Sequence, residues 1–341
     1  MKIAIITRKD YRSPRILAES LKLQIEQAGS EAKIYYDIDL LNRLVSYRES
    51  NLTFHFWLRR KIAYYFYDKK ITKLLRGSDA VVISECIPNG FWKRLYNVEK
   101  FKKIIRKPVF LYEVYYLGNA PTQIEQLKKT GNPLFERFDW YLSVTDVTEI
   151  KIKPGVEYSC VGLNLKVSNL HPTAKKEFIA LVDFKQPGYD HFQQEQLTVL
   201  FDLEIKTIVL EGQYSIDEIR ELYKAASVFF IQSHEAFGLP IAECLACGVQ
   251  IYTASSAWPM SWRLEKNPAL HSEGTLPEIF TVYHSKEDLK QKIITTKEKY
   301  DLITTPFQIF EAFTKYYPHF YYGNSAELKA VLTKIEEGRF D

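Results

Sequence analysis

The chain has 341 residues, 46% hydrophobic and 26% charged, with a net charge of +4. That is enough for two domains with their own cores, and the composition excludes long disorder. Four cysteines (Cys86, Cys160, Cys244, Cys247) in this length exclude a disulfide scaffold. Neither a signal peptide nor an apolar membrane span is legible, so the expected setting is cytoplasmic and reducing.

The charge is unevenly spread. Residues 1–165 hold 28 Lys/Arg against 18 Asp/Glu, and residues 166–341 hold 18 against 24. The two halves are expected to face different partners.

Lys2–Thr7 reads as a buried strand. A helix follows, opened by Ser13-Pro14 and stopped at Gly29, then a strand Ala32–Tyr36. Such a βαβ unit implies a parallel sheet with right-handed crossovers. The loop after the first strand, T-R-K-D-Y-R-S-P, has no glycine, which argues against a dinucleotide fingerprint. Asp37 and Asp39 have the D-x-D spacing that can suit a divalent ion, but so short and common a pattern reads first as a polar strand end. Leu52–Arg76 carries seven Lys/Arg against one Asp among aromatics, and Trp92–Lys107 is a second basic run. These read as a surface for anionic lipid or a lipid-linked acceptor, or as helices with one aromatic core face and one solvated basic face. No RNA-binding or zinc-finger signature accompanies them, so nucleic acid is not expected as a partner. Ala80–Ser84, Val109–Tyr112 and Asp139–Val144 read as further strands. The loops after these strands should share one sheet edge; Arg8 and Glu113, at such positions, are acceptor-side candidates.

Gly162–Lys176 is polar and aperiodic and reads as the linker between domains. Beyond it come a strand Phe178–Val182, a helix through Leu203, a strand Thr207–Leu210 and a helix Ser215–Ala225 capped by Ser215. An apolar run, Ala226–Ile231, then leads into Ser233–Gly248, S-H-E-A-F-G-L-P-I-A-E-C-L-A-C-G. Pro240 sits where a helix starts and Gly248 where it ends. A helix N-terminus is thereby placed at the carboxyl end of a strand, a position that favours anions. The amides of Phe237, Gly238 and Leu239 can approach such a ligand, with Glu235 and Glu243 to either side and Glu243 in the first helical turn. Cys244 and Cys247 are spaced C-x-x-C without further ligands for zinc and read as packing residues, so no metal is expected. His234 reads as a structural neighbour of Glu235 or as a base. A strand Val249–Thr253, a long loop, a helix Lys286–Tyr300, an aromatic segment Phe307–Tyr322 and a helix Ser325–Glu337 close the chain. The expected division is 1–165, 166–310, and a segment 311–341 that returns to the first domain.

Residues Lys206–Thr253 resemble the donor-binding core of retaining nucleotide-sugar glycosyltransferases with the GT-B fold, the family 4 group. The shared pattern is E-x-F-G-L-P-x-x-E-x-x-A-C-G behind a helix of the type E-x-x-x-x-Y-x-x-A. The resemblance implies an α/β protein of two Rossmann-like parallel-sheet domains facing a cleft. It implies transfer from a UDP or GDP sugar to a glycan or lipid-linked acceptor, without a cofactor, in bacterial surface polysaccharide or glycolipid synthesis at the inner membrane face. Glu243 would accept the ribose hydroxyls and Glu235 would hold hydroxyls of the donor sugar. Lys185 would stabilise the diphosphate, and Ser255 would lie in the next donor-binding loop. The sequence departs from the family at several points. No arginine accompanies Lys185, Asp183 stands near it, and Ala254–Pro259 lacks the usual glycine pair. The second domain also reads as about one βα unit short. A non-catalytic nucleotide-sugar-binding relative, or a membrane-associated scaffold, is therefore the alternative expectation.

Overall fold

Runs of Ile, Val and Ala without polar alternation are buried on both faces, as in parallel sheets covered by helices. The computed structural model contains two such sheets. It describes residues 1–8, 12–36, 69, 72–84, 98–113, 138–145, 158–186, 188–232, 237–254, 258, 261–265 and 274–340. Asp37, Asp39, most of the basic stretch 52–76, the first part of 92–107, His234, Glu235 and Ser255 lie outside the described residues.

The first sheet comprises β1 (Lys2–Thr7), β2 (Glu31–Tyr36), β3 (Ala80–Ser84), β4 (Val109–Glu113), β5 (Trp140–Ser143) and β6 (Tyr158–Cys160). Its order is β2-β1-β3-β4-β5-β6, all parallel. The second comprises β7 (Ile179–Val182), β8 (Lys206–Val209), β9 (Val228–Ile231), β10 (Gln250–Thr253) and β11 (Phe280–Val282). Its order is β11-β10-β9-β7-β8, again all parallel. This is the expected α/β architecture of two Rossmann-like domains. Each sheet reverses its winding beside its first strand, between β1 and β3 and between β7 and β9. Doubly wound folds bind ligands in the crevice outside the carboxyl ends at that point. β6 and β11 are not anticipated by the sequence reading, since three residues are too few to show a period.

Helix α1 (Arg12–Gln27) buries Ile16, Leu17, Leu21 and Ile25 as a stripe at helical spacing. It begins before Ser13, so that residue is not its cap, and Pro14 falls in the first turn where its missing N–H is no loss. The Thr7 hydroxyl donates to the Pro14 carbonyl (3.0 Å) and lies 3.3 Å from the Ser84 carbonyl, tying the ends of β1 and β3 to the start of α1. The remaining described helices include α2 (Val98–Ile105), α3 (Asp190–Asp202), α4 (Ile216–Ala225), α5 (Leu239–Ala246), α6 (Lys286–Lys299), α7 (Thr305–Tyr316), α8 (Pro318–Tyr321) and α9 (Ser325–Glu336). Ser215 caps α4 reciprocally: its hydroxyl accepts from the Glu218 amide (3.2 Å) and Glu218 Oε2 accepts from the Ser215 amide (2.7 Å). Among the described residues no helix is long and apolar enough to cross a membrane.

The chain passes between the sheets twice. The first passage is the predicted linker, yet Leu163, Leu165 and Leu170 in it are buried. The second passage covers them. The Leu163 amide donates to the His319 carbonyl (2.8 Å), the Asn324 amide to the Val161 carbonyl (2.8 Å), and the Tyr321 hydroxyl to the Leu170 carbonyl (3.0 Å). Helix α9 then packs against β6 and α1. Phe340 meets Phe110 (5.1 Å) and Trp140 (5.5 Å) edge-on, and Lys334 Nζ lies 3.9 Å above the Trp140 ring.

Lys175, also in the first passage, is buried. Its Nζ donates to the Lys224 carbonyl (2.7 Å) and the Cys247 carbonyl (3.0 Å), at the C-terminal ends of α4 and α5. One ammonium thus serves orphan carbonyls of two helices at their negative ends. Burial lowers its pKa to about 8.

Burial acts oppositely on acids. It pushes Tyr252, Tyr283 and the Cys247 thiol up to about 12, and raises Tyr300, Tyr317 and Cys244 as well. Their contribution to stability is complete below the unfolded values, 9.0 for cysteine and 10.0 for tyrosine, and is lost as pH rises towards the folded ones. Lys175, with a lowered folded pKa, adds stability between about pH 8 and 10.5. Six groups outweigh one. Stability is expected to fall above about pH 10, each tyrosine costing about 1.4 kcal/mol per pH unit. Urea midpoints at pH 8, 9.5 and 11 measure this, and a flat profile to pH 11 contradicts it.

Candidate functional site

The loops leaving β7 and β9 meet at the reversal of the second sheet. Gln232, buried directly after β9, fastens them. Its Nε2 donates to the Asp183 carbonyl (3.0 Å) and its Oε1 accepts from the Gln186 amide (2.9 Å). Gln193 of α3 donates a second bond to the Asp183 carbonyl (3.0 Å). Lys185 therefore stands between two anchored residues, with its own side chain exposed and 3.4 Å from Asp190 Oδ1. Gln232 does not stand out in the sequence, where its only signal is an amide side chain directly behind an apolar strand.

Phe237 and Gly238 form the corner ahead of α5, and Leu239 is the helix's first residue. Gly238 has φ 69° and ψ 84°, in the left-handed region where a side chain is strained. The first bond of the turn runs from the Ile241 amide to the Gly238 carbonyl (2.9 Å), so the amides of Phe237, Gly238 and Leu239 precede the helix's own ladder. Pro240 lies in the first turn and Gly248 follows the last.

Trp262 braces this corner from within. Its Nε1 donates to the Phe237 carbonyl (2.6 Å), and its ring stacks on Phe237 with centroids 5.6 Å apart and planes inclined by 12°. Phe320, from the second passage, meets Phe237 edge-on at 4.8 Å. The Tyr317 hydroxyl donates to the Trp262 carbonyl.

Glu243 is the fifth residue of α5, not in the first turn as the sequence suggests, because the helix starts at Leu239. It is 3% exposed. Its Oε1 accepts from both Nε (2.9 Å) and Nη2 (2.7 Å) of Arg220 on α4. Burial raises the Glu243 pKa and Arg220 opposes that shift. A buried carboxylate is costly without a partner, and Arg220, 23 residues earlier, supplies one. Cys244 and Cys247 beside it are buried, free and held protonated by burial. Among the described residues no group of three His, Cys, Asp or Glu could hold a metal ion.

The structure thus brings Phe237, Gly238, Leu239 and Glu243 to one corner, with Lys185 on the neighbouring loop. Arg8 follows β1 at the reversal of the first sheet. Glu113 ends β4, two strands away, where its carbonyl accepts from the Val144 amide (3.2 Å). Both are half-buried.

No family model matches the chain. A curated protein of Sulfurisphaera tokodaii, named as aminopeptidase 2, is 25% identical over 228 residues. The match covers 64% of this chain, which spans about a quarter (27%) of that relative's length. Solved structures align along nearly the whole chain. The Listeria monocytogenes protein described as UDP-N-acetylglucosamine 2-epimerase has a TM-score of 0.53 and 10% identity, covering 99% of this chain and 96% of its own. Anabaena HepE, in complex with UDP and glucose, has a TM-score of 0.51 and 12% identity over 99% and 100%. Phytolacca americana UGT2, complexed with UDP-2-fluoro-glucose and pterostilbene, has a TM-score of 0.51 and 10% identity over 98% and 99%. At such identities the likeness is one of fold: two parallel-sheet α/β domains in the GT-B arrangement.

Proposed function

We propose that the protein is a retaining glycosyltransferase that moves a sugar from a UDP or GDP sugar to a glycan or lipid-linked acceptor. The observation that carries this reading is Glu243, buried and held by Arg220 through one oxygen beside the Gly238 corner, at the winding reversal of a GT-B domain. The UDP-bound Anabaena and Phytolacca structures, which share the fold, support its nucleotide-sugar donor.

In this reading Glu243 accepts the ribose hydroxyls. The amides of Phe237, Gly238 and Leu239 bind the diphosphate or sugar, assisted by Ser255, and Glu235 holds hydroxyls of the donor sugar. The acceptor hydroxyl attacks the anomeric carbon on the face from which the diphosphate leaves. The bond from that carbon to the phosphate oxygen breaks as the new C–O bond forms, and the hydroxyl proton passes to the departing oxygen. Lys185, released from Asp190, neutralises charge developing on the diphosphate, a role for which fixed positive groups are effective. The acceptor lies along the edge of the first sheet that carries Arg8 and Glu113. No metal or cofactor enters. The positive first half suits an acceptor at an anionic bacterial membrane face, in surface polysaccharide or glycolipid synthesis.

A thermal-shift panel of UDP, GDP, ADP and CMP sugars tests the reading; stabilisation by none of them sinks it. Lys185→Gln is expected to lower kcat roughly 10²-fold with little change in donor KM. Equal losses in binding and turnover would remove its catalytic role. The pairing of Lys185 with Asp190 favours one second reading, binding without turnover. Stabilisation by a nucleotide sugar that is neither hydrolysed nor transferred would select it.

A further inference from the structure

We infer that Trp262 is a positioning residue of the donor site, whose indole N–H sets the direction in which the Gly238 amide points. The inference rests on the nucleotide-sugar reading above. A trans peptide is planar, so its carbonyl and its N–H point in opposite directions. The Phe237 carbonyl and the Gly238 N–H belong to one such plane. The Trp262 indole holds that carbonyl at 2.6 Å. Trp262 is fully buried, with Phe280 (5.4 Å), Tyr317 (4.9 Å) and Phe320 (5.2 Å) edge-on around it. The carbonyl therefore faces the aromatic core and the Gly238 N–H faces away from it.

The device answers a specific need. Gly238 adopts φ 69°, and glycine is the residue at which a peptide plane turns over most easily. Turned over, the plane would point its N–H into the aromatic cluster and present its carbonyl oxygen to the ligand, where a diphosphate would be repelled. The indole bond, together with the Phe237–Trp262 stack, selects the orientation that offers a donor to an anion. Trp262 does not touch the ligand; it acts through the Phe237–Gly238 peptide.

The sequence supplies a clean probe, because Phe237-Gly238 is its only Phe-Gly step. Protein labelled with ¹³C-carbonyl phenylalanine and ¹⁵N-glycine gives one carbonyl-correlated amide peak, reporting on this peptide alone. In the wild-type protein UDP or GDP is expected to move that peak, whereas uridine or guanosine, which lack phosphate, leaves it in place. Trp262→Phe keeps an aromatic ring and deletes the N–H. It is expected to weaken the diphosphate about tenfold and leave nucleoside affinity unchanged. A wild-type protein that binds no nucleotide overturns the nucleotide-sugar reading and this inference with it. A wild-type protein that binds UDP or GDP with the peak unmoved overturns the role of Trp262 alone. So does a Trp262→Phe variant that binds diphosphate as tightly as wild type. If that variant fails to fold, the wild-type peak decides.

Discussion

Glu243→Gln is expected to lower affinity for the donor's nucleoside diphosphate by roughly 10²-fold, the loss of charge-assisted hydrogen bonds to two ribose hydroxyls. Calorimetric titration of wild type and variant with the nucleotide that stabilises the protein measures it. Unchanged affinity would end the ribose role. Glu243 is also half of a buried ion pair, so its loss leaves Arg220, itself mostly buried, without its carboxylate. Breaking a buried pair from one side costs about 3–5 kcal/mol when both partners are fully buried, and about 2 kcal/mol is expected here because Arg220 keeps some access to water. A double variant, Arg220→Leu with Glu243→Leu, removes the orphaned charge. It is expected to recover most of the stability and none of the binding, which separates the two roles. Burial raises the Glu243 pKa, so donor binding should also decline on acidification from a higher pH than an ordinary glutamate would set.

Gly248→Ala is expected to cost about 3–5 kcal/mol and to lower the Tm by about 10 °C. Gly248 has φ +72°, and a Cβ there would lie 2.3 Å from the Pro306 carbonyl oxygen and 2.7 Å from its Cα. These are backbone atoms at the first turn of α7, which cannot rotate aside as a side chain can. Gly212 provides the control. It has the same φ of +72°, but a Cβ there would meet nothing within 4 Å, so Gly212→Ala should cost only the conformational strain, about 1 kcal/mol. Similar losses at the two glycines would mean that the approach to Pro306 is unimportant.

The strands of both sheets were largely legible because parallel strands covered on two faces must be apolar throughout; Ala80–Ser84 and Val228–Ile231 have no other good destination. Helix α5 was legible from Pro240 and Gly248, although its start one residue earlier moved Glu243 out of the first turn. Partnerships across sequence distance were not legible. Arg220 is one of several charged residues on α4, and only the fold shows that it reaches Glu243. Trp262 lies in a loop whose composition suggests exposure, yet the return of Tyr317 and Phe320 encloses it. The same return buries Leu163, Leu165 and Leu170 in a segment that local composition marks as a linker. In each case the partner arrives from a distant part of the chain, and no local pattern encodes it.

The packing of α9 and Phe340 on Phe110 and Trp140 makes the first domain discontinuous in sequence. Its last covering layer is synthesised only after the whole second domain. A fragment ending at Leu165 would therefore be an unfinished fold, lacking the Phe340 contacts to Phe110 and Trp140. The first domain completes its core only when the C-terminal segment has left the ribosome.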